Sequence, residues 1–161
     1  MTDMDLKDGG VQRMSATVAL SGLFRRDLLR LRAQIDAFSS DDALWRTLPG
    51  FTNSAGNLAL HLEGNLREYI GRQLGRVPYA RKRPLEFNAK GIPKVEIVAR
   101  MDALSRLISE VVASLSDEQM ESEYPEVVLE APMRTQEFLL HLYAHLSWHS
   151  GQIDALRRIT V

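Results

Sequence analysis

The chain has 161 residues, with 20 Lys and Arg against 21 Asp and Glu, 4 His and no Cys. That length suffices for one compact domain, and a near-neutral charge balance carries no footprint of nucleic-acid binding. The lack of cysteine excludes disulfides, zinc–cysteine sites and a thiol nucleophile in the chain, so a metal would have to be held by His, carboxylates or water.

Residues 1–11 read as a flexible N-terminus and 12–161 as a single domain. The acidic, polar start, Met1 to Gly10, is not a signal peptide. No apolar run approaches the roughly 18 residues of a membrane span. A cytoplasmic protein with no membrane or nucleic-acid partner is expected.

From about Gln12 to Phe38 the pattern is helical: Phe24, Leu28, Leu31, Ile35 and Phe38 recur at 4-3-4-3 spacing. Ser39 to Trp45 looks like a cap and a short turn, broken by Pro49-Gly50. A second helix should start at Asn53 or Ser54 and run to about Leu74, with Gly75 as its stop. Leu58, Leu62, Leu66, Tyr69 and Ile70 supply its apolar face. Beside that face run Asn57, His61 and Asn65 at i,i+4 spacing.

Residues 75–92 show no clear period and read as a long connection. From Arg72 to Lys94 there are seven basic residues and one acid, Glu86, which would suit attraction of an anionic substrate. A third helix follows Pro93, with Ile97, Met101, Leu104, Ile108, Val111 and Leu115 as its seam, and ends at Ser116 to Met120. Residues 121–134 suit two short strands or an extended loop. Thr135 then caps a fourth helix, with Glu137 in its first turn and Arg157 and Arg158 in its last. The expectation is an all-α four-helix bundle with long connections between helices 2 and 3 and between helices 3 and 4.

Three of the four histidines, His141, His145 and His149, lie four residues apart on the fourth helix. The pattern Phe138, Leu142, His145, His149, Gln152, Leu156, Ile159 makes that face the buried seam. Polar groups in a seam need partners, since an unpaired one costs about 1–3 kcal/mol. His145 and His149, one turn apart, could close on one metal ion. His141 lies about 12 Å along the axis from His149, at about 1.5 Å per residue, too far to join the same ion. The third ligand should come from a facing helix, and His61 is the natural choice. Asn57, Asn65, Gln152, Glu63 and Glu68 are the sequence neighbours that could orient the imidazoles. The alternative is that the histidines simply hydrogen-bond in the core.

No Glu-x-x-His, His-Glu-x-x-His, Gly-x-Ser-x-Gly or phosphate-binding glycine loop occurs. Trp148 and Tyr143 read as packing residues, or as interface residues in a dimer.

Asn57-Leu-Ala-Leu-His-Leu-Glu-Gly-Asn-Leu-Arg67, with His141-Leu-Tyr-Ala-His-Leu-Ser-Trp-His-Ser-Gly-Gln-Ile153 far downstream, resembles the DinB-like superfamily, in particular its small bacterial branch of unassigned function. The resemblance covers the chain from about residue 12 onward. It implies an up-up-down-down bundle with a metal held by His61, His145 and His149. His141 becomes an extra histidine which, with Asn57, Asn65 and Gln152, belongs to the surrounding shell or the substrate pocket. Ser150 stands where many members have arginine.

The resemblance further implies a metal-dependent transferase using a low-molecular-weight thiol, with zinc or nickel as the metal, a small-molecule substrate and a homodimeric state. The other readings are a non-catalytic dimeric bundle with a structural metal or none, and a metal-dependent hydrolase. No residue of the sequence is assigned as general base.

Overall fold

A computed structural model describes residues 15–160. The expected flexible stretch 1–11 and the first residues of the first predicted helix lie outside that range. Helix α1 (Ala16–Asp36) begins where the Ser15 hydroxyl accepts the Val18 N–H. Ser40 caps the short α2 (Asp41–Trp45), and Ser54 caps α3 (Ala55–Leu66). Each hydroxyl satisfies an N–H that a helix start leaves without an intrahelical partner. Helix α3 runs on into a π-helical segment, Arg67–Arg72. Then come α4 (Arg83–Asn88), α5 (Lys94–Ala113), α6 (Asp117–Glu121) and α7 (Thr135–Ile159). The fold is all-α. Among the described residues the β-structure consists of one isolated bridge, Glu123 to Arg134. None of the described helices is long and apolar enough to cross a membrane.

The long helices form a ring in which α1 packs on α5 and α7, and α3 on α7 and α5. Side-chain contacts fix their directions. Ser21 of α1 bonds to Ser109 of α5, while Lys94 at the start of α5 reaches the Asp36 and Phe38 carbonyls, so α1 and α5 are antiparallel. Glu63 pairs with Arg100, and Gly71 lies against Leu107, so α3 and α5 are parallel. His61 faces His145, and Tyr69 faces Phe138, so α3 and α7 are antiparallel. The order is therefore up-down-down-up, and the expected up-up-down-down order is corrected. The parallel step from α3 to α5 requires the chain to return along the bundle, and residues 73–93 make that return.

The seam of α7 is shifted from the expected one. Phe138, Leu142 and Leu156 of the expected seam are buried, but His145, His149 and Gln152 are half-buried and Ile159 is 60% exposed, and Leu139, Leu146, Ser150 and Ile153 are buried in their place. The half-buried positions are the polar ones, where His145 and His149 meet His61 of α3 and Gln152 bonds to His149. Trp148 is 69% exposed and packs no core, while Tyr143 bonds to Asp27 of α1.

Other boundaries move for local reasons. The left-handed residue after the second helix is Arg76, at φ 54°, rather than Gly75. A Cβ on Gly75 would lie 2.5 Å from a Val111 methyl, so this glycine permits close approach of α5. Arg134 rather than Thr135 is the N-cap of α7, its backbone N–H donating to the Glu137 carboxylate at 3.0 Å. The third long helix stops at Ala113, and Ser116 starts the separate α6 with a capping box.

Candidate metal centre

The antiparallel pairing of α3 and α7 brings three histidines together. His61 lies midway along α3, and His145 and His149 are one turn apart on α7. One ring nitrogen from each lies within 4.8 Å of the others, so the cluster could hold a metal ion. His61 Nε2 is 3.2 Å from His145 Nε2. That is near the ~3.3 Å between two nitrogens bound at about 2.0–2.1 Å in a tetrahedral zinc site.

Hydrogen bonds on the far side of two rings select their tautomers. His61 Nδ1 lies 3.0 Å from the Glu86 carboxylate, and His149 Nδ1 lies 2.6 Å from Gln152 Oε1. Both acceptors place the proton on Nδ1 and leave the Nε2 lone pair facing the cluster. His145 Nδ1 is buried without a hydrogen-bond partner among the described residues. Burial, reinforced by His149 and His61, pushes the His145 pKa down to about 4. Burial also lowers that of His61, partly offset by Glu86. Imidazoles held neutral near pH 7 are the form that donates to metals. The donor set therefore fits a divalent cation, with His145 presenting Nε2 to the cluster and its buried Nδ1 on the far side of the ring.

Glu86 belongs to α4 and is 5% exposed. Arg81 meets it at 2.6 and 2.9 Å. Gly64 makes room for it, because a Cβ there would lie 2.1 Å from Glu86 Oε1. Asn57 holds α4 in place by donating from Nδ2 to the carbonyls of Glu86, at 3.1 Å, and Ala89, at 2.9 Å.

A cavity of about 280 Å³ opens beside the cluster, with His61, His145, Asn65, Arg81, Arg83 and His141 in its wall. Among the described residues no carboxylate lines it.

No protein-family model matches the chain, and no curated protein matches it. Among solved structures, the chain is similar to a DinB-like protein from Bacillus cereus. The two share 18% identity over 82% of this chain and 84% of that one, with a TM-score of 0.64. The fold is DinB-like. At that identity the likeness carries the fold alone.

Within this DinB-like fold, His61, His145 and His149 come together, and Gln152 bonds to His149. Asn65 and exposed His141 line the cavity, with His141 stacked on Phe138. The Asn57 side chain bonds to Ser54 and to the Glu86 and Ala89 carbonyls, so it anchors α4 and does not orient an imidazole. Glu63 pairs with Arg67 and Arg100, and Glu68 with Arg72, so neither orients a histidine. The partner of His61 is Glu86, which lies in the stretch 75–92 whose sequence shows no clear period. Its signal was the lone acid in a basic stretch, opposite a mid-helix glycine.

Proposed function

We propose that His61, His145 and His149 hold a divalent metal, zinc or nickel, and that the protein is a metal-dependent transferase acting with a low-molecular-weight thiol on a small electrophile. The observation that carries this reading is the placement of the cluster. Two of its three imidazoles form the wall of an open cavity, where a closed structural site would be walled off by the core. The cavity gives a ligand a path to the same point on which the imidazole lone pairs converge.

When bound, such a cation lowers the pKa of a coordinated thiol or water. The protein's own groups do the rest. Glu86 and Gln152 hold two imidazoles in the donating tautomer and fix their rings. Arg81 holds Glu86 against α3. Phe138, Leu142 and Val128 give the cavity an apolar wall that limits water around the reacting group. The resemblance also supports a homodimer in the cytoplasm, with exposed Trp148 available to an interface.

The test is metal content by elemental mass spectrometry on untagged protein purified without chelator, beside a His145→Ala, His149→Ala double variant. About one metal per wild-type chain, lost in the variant, is the expected result. Wild type that stays metal-free on titration with zinc, nickel and manganese would falsify the reading. Turnover that needs no thiol would replace the transferase by a hydrolase.

A further inference from the structure

Two features of the cavity are not used by the histidine cluster. The first is its charge. Among the described residues two arginines line it, and no carboxylate does. Arg81 is already committed to Glu86 through two hydrogen bonds. Arg83 is exposed and makes no ion pair among the described residues. The second feature is Asn65. It is 9% exposed, it lines the same cavity, and its Oδ1 is buried with no hydrogen-bond partner among the described residues. A buried amide oxygen without a partner loses its hydration and gains nothing in return, so a ligand that donates to it recovers that loss.

We infer that this cavity selects a small anionic thiol, with a ligand carboxylate on Arg83 and a ligand N–H on Asn65 Oδ1. The inference deepens the proposed function and rests on it, because the thiol end is taken to reach the histidine cluster. The chemistry favours a carboxylate. A guanidinium presents planar paired donors that match a carboxylate bidentately. A donor-bearing backbone beside that carboxylate, as in an N-acylated amino acid, supplies the N–H. The cavity volume of about 280 Å³ suits a ligand of that size, and any longer substituent would extend past His141 at the exposed rim.

The experiment is titration calorimetry on the zinc-loaded full chain, with metal content measured on the same samples. The probes are N-acetylcysteine and its neutral carboxamide, which share the thiol and the N–H and differ only in the carboxylate. Wild type should bind the acid at least tenfold more tightly than the amide. Arg83→Gln, at an exposed position, should reduce that preference to less than threefold without changing zinc stoichiometry. Asn65→Leu should weaken both probes about equally, but leave 3-mercaptopropionate, which lacks the N–H, nearly unaffected. Equal affinity of wild type for acid and amide, or a preference that survives Arg83→Gln, overturns the inference while leaving thiol binding in place. If neither thiol binds a chain that carries one zinc, the thiol reading itself fails, and this inference with it.

Discussion

Glu86 is the residue on which the histidine cluster leans. One of its oxygens faces both His61 Nδ1 and an Arg81 nitrogen, and the other faces Arg81 Nε. A carboxylate behind a ligating imidazole raises its donor strength and fixes its ring, and loss of such a partner typically costs 10–100-fold in metal affinity. Glu86→Gln keeps an acceptor for His61 but removes the charge and the ion pair to Arg81. Zinc affinity, measured by competition with a chromophoric chelator, should fall by about 10–100-fold. An unchanged affinity would mean that Glu86 serves only to dock α4.

A six-residue helix such as α4 has no stability of its own, since nucleation is unfavourable and few bonds reward it. It persists because Asn57 ties its carbonyls to α3 and because Gly64 lets the Glu86 side chain lie against the α3 backbone. That makes a glycine comparison informative. Gly22, on α1, has open space where a Cβ would go, so Gly22→Ala should stabilise by about 0.5–1 kcal/mol, the usual gain for alanine over glycine within a helix. Gly64→Ala should do the reverse, destabilising by about 1–3 kcal/mol, as expected for overpacking, and weakening zinc binding by displacing Glu86. Urea denaturation of the two variants reads the first effect. Two changes of the same sign would show that the Glu86 side chain moves aside at little cost. This contrast also shows what was hidden in the sequence. Pro84 and Gly91 break the periodicity of residues 75–92, so α4 leaves no pattern, and its existence depends on Asn57 and Gly64, more than 20 positions before Glu86.

At the scale of the whole molecule, α1 and α7 are joined by a polar contact, the counterpart of Ser21 with Ser109 between α1 and α5 and of Glu63 with Arg100 between α3 and α5. Asp27 accepts from the Tyr143 hydroxyl at 2.5 Å and from Arg26 at 2.8 and 3.0 Å. The Arg26 hydrogen bond, aided by Tyr143, holds the Asp27 pKa below the ordinary carboxylate value against the opposing effect of burial. A carboxyl group with a depressed folded-state pKa contributes stability above its unfolded value, and that contribution is lost as pH falls through the folded value. Asp27→Asn should therefore destabilise at pH 7 by about 1–2 kcal/mol. The gap from wild type should begin to close as pH drops below about 4 and vanish at lower pH, where both states of the wild type are protonated. Thermal melts across that range check it. A gap independent of pH would assign the effect to packing.

What the sequence determined by itself was local. Helical periodicity located the four long helices, because side chains three and four apart meet on one face whatever the rest of the chain does. The spacing of His145 and His149 placed two imidazoles one turn apart for the same reason. The nomination of His61 needed one step more, a facing helix, and the structure supplies it. Tertiary structure alone decided the helix directions, the true seam of α7, and the group behind His61. Each depends on contacts between residues far apart in sequence: Glu63 with Arg100 for direction, Glu86 with His61 for the site. Such contacts arise from the return of residues 73–93 along α3, and closure of that crossover leaves no periodic trace in the residues that form it.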